Sequence, residues 1–518
     1  MRYVLLILIQ FGCIEAPPSA LPNNVQTNNS ETNNSETNNT QPNNSVETFV
    51  PFSISTDLEL HYLFNLGSSQ NGFPNRAPGG GNHPLEDSQV IDSEMVVLGN
   101  DSSVGFLDNV FSAIQTRREV SIEMWWRPFD SLNRNVISLG ERISIGMNQN
   151  QEVELNIGPK RYAISGIGGP FSTHFVLTLS DEVARVYVDG IQVWAQKTED
   201  PAFFDDLGEA MLRLGPGNIA YKQVSVYKRL LSPGEIAMHT FQGPGKESRQ
   251  PTRPDLFAEA YRHSNHVDNL RKDFVYTAIS PGDEASGFTF SAGNREAAQP
   301  LWFVPLSRDH FPPNSAHIHG YARVQGRHHN SESPFEIEVY ALKRRWSPAN
   351  VTWTQADSST QWAQPGAKST DDRGEEPIFK SPVIEFPPNG NFPIYLLFPL
   401  TSVIEPWFNN DANFGLIFDA QDKLHGALGD DPPWQPAMVF FGVSRSQSPI
   451  ESPVIGVATQ SNNCEVTFSK LPPGQKLEVW HEGSFAGVTS GTRLVIPECD
   501  EDKLTYSIFD VFGNSTFF

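Results

Sequence analysis

The chain is poor in cysteine and in basic residues, and it lacks a long apolar run. Three cysteines in 518 residues are too few for a disulfide scaffold. Lys and Arg number 37 against 60 Asp and Glu, a formal net charge of −23. Nucleic-acid binding needs a basic footprint to meet the phosphates, so that class is excluded, while surplus acid suits solubility outside a cell. The apolar stretch at Met1–Phe11 is too short to span a bilayer. No complete catalytic set can be read from the residues, which argues against an enzyme.

What is abundant points to strands and turns. Pro numbers 40 and Gly 39, aromatics make up 11% and charged residues only 19%, a mix that suits turn-rich all-β domains. The length calls for two to four domains. At Phe175–Trp194 two alternating runs, Val176–Leu179 and Val183–Val188, are followed by Asp189-Gly190 and Ile191–Trp194. An Asp-Gly between alternating apolar residues predicts a hairpin with a type I′ turn. The pattern predicts antiparallel strands with one buried face in a β-sandwich.

Four ordered stretches carry a resemblance. RVYVDGIQVW around that hairpin, VSVYKRLLSPGEIAMHTFQG at Val224–Gly243, LELHYLFN at Leu58–Asn65 and VSIEMWWRP at Val120–Pro128 resemble a LamG-like (concanavalin A-like) jelly-roll domain. The resemblance implies a sandwich over 51–245, with a short helix following the last strand. Within it, adjacent Trp125 and Trp126 must point to opposite sheet faces, so one of them is a candidate for an outer, sugar-stacking surface unless loops cover it. Asp87, Asp92, Asp101 and Asp108 could bind Ca²⁺, as in some relatives, though their spacing is not that of a compact calcium loop. The Gly/Pro/Asn-rich loop Gly67–Pro84 is long enough to be functional.

The N-terminus reads as an export signal. Met1–Phe11 is followed by Gly12-Cys13, which resembles a bacterial lipoprotein signal over residues 1–13 with Cys13 lipidated; cleavage near Ala20 would instead give a secreted chain. Residues 14–50 contain the tandem ETNNSETNN and read as a disordered tether, because such polar repeats cannot bury enough surface to offset ordering entropy. The expected location is the cell envelope or surface, outer membrane included, with the membrane met only through the lipid.

A second pattern occupies 246–448. PLWFVPLSRDHFPPNSAHIHGYARV at Pro300–Val324, the pair Trp346 and Val351-Thr352-Trp353, and Asn413-Phe414-Gly415-Leu416 resemble a DNRLRE-type β-sandwich, which implies glycan binding. Trp346 and Trp353 then belong to the core, whereas Trp362 and Trp434, set among Gln, Pro and Asp, are candidates for exposed stacking. His317 and His319, with His328-His329 following, have spacing that could suit zinc or copper, but they read more simply as a strand face turned to solvent or a neighbour. Glu336 and Glu338 superficially suit paired-carboxylate hydrolysis, yet no third carboxylate follows, so a solvated face is the plainer reading.

Residues 449–518 show short alternating runs with the cadence of an Ig- or fibronectin-III-like sandwich. In an exported chain Cys464 and Cys499 pair, leaving Cys13 for the lipid. The expectation is therefore a non-catalytic surface protein without a required cofactor. Its partner is polysaccharide or cell-surface glycan; the alternatives are a protein-binding adhesion or scaffold component, and a divergent polysaccharide hydrolase or lyase.

Overall fold

The computed structural model describes residues between 56 and 517 other than 67–71, 79–83, 86–88, 92–93, 98–102, 129–133, 149–151, 165–172, 246–255, 263–274, 280–298, 304–305, 307, 309–310, 313–314, 329–333, 385–391, 410–412, 421–436, 444–452, 461–462, 470, 472–474, 490–491 and 510–514. Cys13, the 14–50 segment, Asp87, Asp92, Asp101, His329, Trp434 and most of the 67–84 loop lie outside the described residues. The rest is a set of antiparallel sheets with three α-helices among the described residues.

The first module runs through β1 (Leu58–Leu63), β2 (Gln89–Ile91), β3 (Glu94–Val97), β4 (Ser103–Phe106), α1 (Asp108–Arg117), β5 (Glu119–Pro128) and β6 (Arg134–Leu139). It continues with β7 (Ile143–Met147), β8 (Val153–Ile157), β9 (Lys160–Ile164), β10 (Thr173–Ser180), β11 (Val183–Val188), β12 (Ile191–Lys197), β13 (Met211–Leu214), β14 (Ile219–Tyr227) and α2 (Pro233–Gln242). One sheet has the order β2-β3-β14-β5-β10-β11-β12, with β1 also on β14; the other is β4-β13-β6-β7-β8-β9. Period-2 alternation sends Ile122, Met124 and Trp126 of β5 into the core between them, with Leu177, Ile145 and Leu155.

The Asp189-Gly190 turn has φ of +50° and +77°, as a type I′ hairpin requires. α2 starts where the sequence supplies a capping box. Ser232 Oγ accepts from Glu235 N at 3.2 Å, Glu235 Oε2 accepts from Ser232 N at 2.7 Å, and Pro233 fills the first turn.

The second module has β15 (Leu256–Arg262), β16 (Val275–Ile279), β17 (Gln299–Phe303), β18 (Ala316–His328), β19 (Glu338–Ala341), β20 (Phe379–Lys380), β21 (Phe392–Pro399), α3 (Thr401–Asn409), β22 (Leu416–Asp419) and β23 (Ala437–Val443). Sheets β15-β23-β18-β21 and β16-β17-β22-β19-β20 enclose Trp302, Val324, Phe398 and Phe440. The third has β24 (Ile455–Gln460), β25 (Asn463–Phe468), β26 (Lys476–His481), β27 (Ser484–Thr489), β28 (Arg493–Ile496), β29 (Leu504–Phe509) and β30 (Ser515–Phe517). Cys464 and Cys499 are bonded in its core, across a sequence separation of 35. Closing a loop of that size contributes about 3–4 kcal/mol.

Two joints tie these modules into one compact unit. α2 packs on β15 and β23, and Phe241 at its end meets His319, Tyr321 and Phe441. The Asp189-Gly190 turn is gripped from the second module: Tyr321 Oη donates to Asp189 O at 2.9 Å and Arg323 Nη1 to Asp189 Oδ2 at 3.2 Å. A Cβ on Gly190 would sit 1.9 Å from Tyr321 Oη, so the grip requires glycine there. At the other side β12 pairs with β27 through Gln196 and Ser484, so the sheet of the first module continues into the third. These covers correct the expectation of one buried face for the hairpin: β10 and β11 are buried on both faces along their whole length.

Candidate functional site

Burial overturns the stacking roles expected of Trp362 and of one of Trp125 and Trp126. Trp126 is 2% exposed in the inter-sheet core, and Trp125, on the opposite face, is 1% exposed and stacks on His174 with centroids 4.9 Å apart. Period 2 separates the two indoles, but the outer one is covered too, by His174, which is held to Thr240 of α2. Trp362 is 4% exposed, donates from Nε1 to Thr352 O at 3.0 Å and packs with Tyr340, Leu342 and Val351. Trp346 and Trp353 pack half-buried against that cluster, and a cation lies over Trp353, with Lys368 Nζ 5.5 Å from the ring centroid.

His317 sits at a bulge with φ +50°, and His319 turns onto Phe441 with centroids 5.7 Å apart. Burial, helped by nearby His317, pushes the His319 imidazole down to about 4. Glu336 and Glu338 share Lys380 at 2.8 and 3.5 Å, and Tyr340 Oη donates to Glu338 at 2.6 Å, so they form a paired strand face. Among the described residues no three His, Cys, Asp or Glu side chains gather to hold a metal ion. Asp108 is the first residue of α1.

The outer face of the first sheet instead holds a buried polar cluster. Glu123 Oε1 accepts from His174 Nε2 at 2.8 Å and His239 Nδ1 at 3.0 Å, and Glu123 Oε2 accepts from Tyr227 Oη at 3.0 Å. His174 Nδ1 lies 2.6 Å from Thr240 Oγ1 on α2. Burial pushes the Glu123 carboxyl up, but the charge on His239 and the hydrogen bonds from both imidazoles outweigh it and hold it well below the carboxylate range. Burial pulls His239 down, and the Glu123 charge more than reverses this. Burial, then Glu123, drive the Tyr227 phenol well up. The signal in the sequence was a lone carboxylate inside the apolar run VSIEMWW. These groups are all sealed from solvent, so the cluster fastens α2 and is not a ligand site.

The open surface belongs to the other sheet. Arg213, Ser138, Ser144, Asn156 and Arg161 are successive cross-strand partners on β13, β6, β7, β8 and β9. Beside them runs Asn135, Gly146, Glu154 and Ala163. Neither row contains an aromatic residue. Asn156 Nδ2 donates to Ser144 Oγ at 2.9 Å, and Arg161 pairs with Glu154.

At the β6–β13 end the face deepens into a cleft of about 290 Å³ lined by Asn135, Ser138, Glu141, Glu209, Met211 and Arg213. Gly140 is part of its wall, with φ +62° and a would-be Cβ 2.2 Å from Leu207 O. Asn135 is held by donating Nδ2 to Gly215 O at 3.1 Å. Arg213 is exposed, and no carboxylate among the described residues pairs with it, although Glu141 and Glu209 border the same space. A guanidinium, two carboxylates, an amide and a hydroxyl around one small cleft can engage alternating donors and acceptors such as vicinal hydroxyls. Sequence reading missed all of these residues; the signal available was polar residues at alternate positions of β6, β7 and β8.

No family model and no curated protein matches the chain. A Trypanosoma rangeli sialidase in complex with 2,3-difluoro-KDN is similar to it at 12% identity and a TM-score of 0.30, over 36% of this chain and 32% of that one. The chain thus spans about a third of the length of that sialidase. The botulinum neurotoxin serotype D/C binding domain is similar at 11% identity and a TM-score of 0.32, over 71% of this chain and 100% of that domain. The binding domain of botulinum neurotoxin DC in complex with rat synaptotagmin II gives 10% and 0.30 over the same shares. Likenesses at these scores carry no argument about ligand or activity; the all-β architecture stands on the sheets themselves.

Proposed function

We propose that the protein is a surface-anchored, non-catalytic glycan-binding protein whose ligand enters the β6–β13 cleft. The observation that carries this reading is the set of Arg213, Glu141, Glu209, Asn135 and Ser138 held around one open cleft on an otherwise polar, accessible sheet face. The LamG-like and DNRLRE-type resemblances support the same ligand class. The exposed large apolar side chains are Leu66, Val383 and Val454, one in each module, which gives no support to a flat protein-binding patch among the described residues. The Gly12-Cys13 signal and the 14–50 tether support anchoring at the cell envelope or surface.

A glycan array probed with the purified full chain tests the ligand class. Arg213→Ala is expected to weaken binding of an array hit by about 10-fold, the size of a charge-assisted hydrogen bond in a partly solvated site. Unchanged affinity would move the site elsewhere, and an array without hits would remove the glycan reading. For the anchor, a clickable fatty acid is expected to label the wild-type chain and not Cys13→Ala.

A hydrolase reading has one observation in its favour, that Glu141 and Glu209 line the same cleft. Both are exposed, whereas a glycosidase acid sits against an apolar wall. Release of reducing ends from an array hit, abolished by Glu141→Gln or Glu209→Gln, would establish turnover.

A further inference from the structure

The described tryptophans are, with few exceptions, sealed in cores. Of the nine that are described, six are at most 4% exposed, and only Trp194, Trp346 and Trp353 are half-buried. Trp346 commits its indole N–H to Phe414 O at 2.9 Å, and Trp353 is capped by Lys368. Trp194, on β12, has neither restraint. It lies beside Tyr162 of β9, ring centroids 5.1 Å apart and planes at 56°, where the two sheets of the first module meet at their edge. Neither the Trp194 N–H nor the Tyr162 hydroxyl has a hydrogen-bond partner among the described residues. The ion pair Lys160–Glu199 stands over this corner, about half exposed on both sides. Both of its charges act on the Tyr162 phenol, which burial and Glu199 push up while Lys160 opposes them.

We infer that Trp194, Tyr162, Lys160 and Glu199 form a second saccharide site, which takes one pyranose unit of a neutral oligosaccharide. A pyranose offers a C–H face to the indole and equatorial hydroxyls at its rim. The corner offers a ring face, an indole donor, a phenol, an ammonium and a carboxylate in the complementary places. Half-buried aromatic surface carrying idle donors is a poor arrangement for a core position and a good one for a ligand that is apolar on one side and wet on the other. The site is separate from the cleft. β9 is three strands from β6, about 15 Å at the ordinary strand spacing, and Tyr162 lies on the core side of the sheet, not on the open face.

This inference shares only its ligand class with the cleft reading, and one experiment separates them. An array hit is titrated by calorimetry and by tryptophan fluorescence into the full chain and into Trp194→Ala, Trp194→Phe, Tyr162→Ser, Lys160→Ala and Arg213→Ala. Losses of about 10-fold for Trp194→Ala and Tyr162→Ser, with Trp194→Phe largely retaining affinity, are expected. The ligand-induced fluorescence change is expected to vanish in Trp194→Phe. Should Trp194→Ala fail to fold, Lys160→Ala, at an exposed side chain, reports on the same corner. Binding weakened only by Arg213→Ala overturns this site and leaves the cleft, and a chain that binds no array saccharide overturns both.

Discussion

Glu478→Ala is expected to lower the unfolding free energy by about 3–5 kcal/mol, the cost of removing one partner from a buried ion pair. Glu478 and Arg185 are 0% and 1% exposed, and Arg185 Nη2 donates to Glu478 Oε2 at 2.7 Å across the joint between the first and third modules. The same oxygen accepts from Ser507 Oγ at 2.9 Å, which in turn accepts from Trp480 Nε1 at 3.0 Å. Val183, Ala195 and Trp480 seal this arrangement in a small apolar cluster. Without the carboxylate, a guanidinium that water cannot reach loses the charge facing it. The double variant Arg185→Met/Glu478→Leu is expected to recover most of the loss, because apolar packing then replaces both charges. Urea denaturation followed by circular dichroism measures both; a Glu478→Ala chain within about 1 kcal/mol of wild type would show that the joint does not depend on the pair.

The second large effect is expected at Glu123. Glu123→Ala takes the acceptor from His174, His239 and Tyr227 at once and should cost about 3–5 kcal/mol by the same reasoning. The pH dependence carries its own signature. The folded pKa of His239 is raised above its ordinary 6.5, so its contribution is complete below that value and is lost as pH rises through the folded one. Glu123 is depressed below its ordinary 4.5, so its contribution is complete above that value and is lost as pH falls through the folded one. Between roughly pH 4.5 and 6.5 the pair contributes fully, and stability should decline on either side of that window. His174, Arg229, Glu235 and Tyr227 are the other charged or titratable groups that act on it. Glu123→Gln removes the carboxylate, so its melting temperature should lose the decline above the window that wild type shows. An unchanged profile would assign that decline to other groups.

Much of this architecture was legible from residue pattern. Asp189-Gly190 announced its turn, the two late cysteines announced their bond, and α2, implied by the LamG-like resemblance, starts at the Ser232–Glu235 capping box. These are local signals, set by backbone strain, orphan amides and compartment. What the pattern left open was which faces would be covered. Period 2 puts Trp125 and Trp126 on opposite sides of β5, but Trp125 is covered by His174 of β10, which is itself tied to Thr240 of α2, far along the chain. Trp362 looked exposed because its neighbours are polar, yet a small core of Tyr340, Leu342 and Val351 forms around it. The cleft was invisible for the opposite reason. Glu141 and Glu209 are single carboxylates on loops that only strand pairing brings together.

The continuous sheet from β2 to β30 has a practical consequence for dissecting the molecule. A cut anywhere between 246 and 452 would bare the β12 edge and leave Arg185 facing water on one fragment and Trp480 on the other, and a cut before Tyr321 would also release the hairpin tip held by Tyr321 and Arg323. Fragments made that way should be prone to aggregation, since each carries an unpaired strand edge beside apolar surface. Point substitutions in the intact polypeptide are therefore the sound route to assigning a ligand to one sandwich or another.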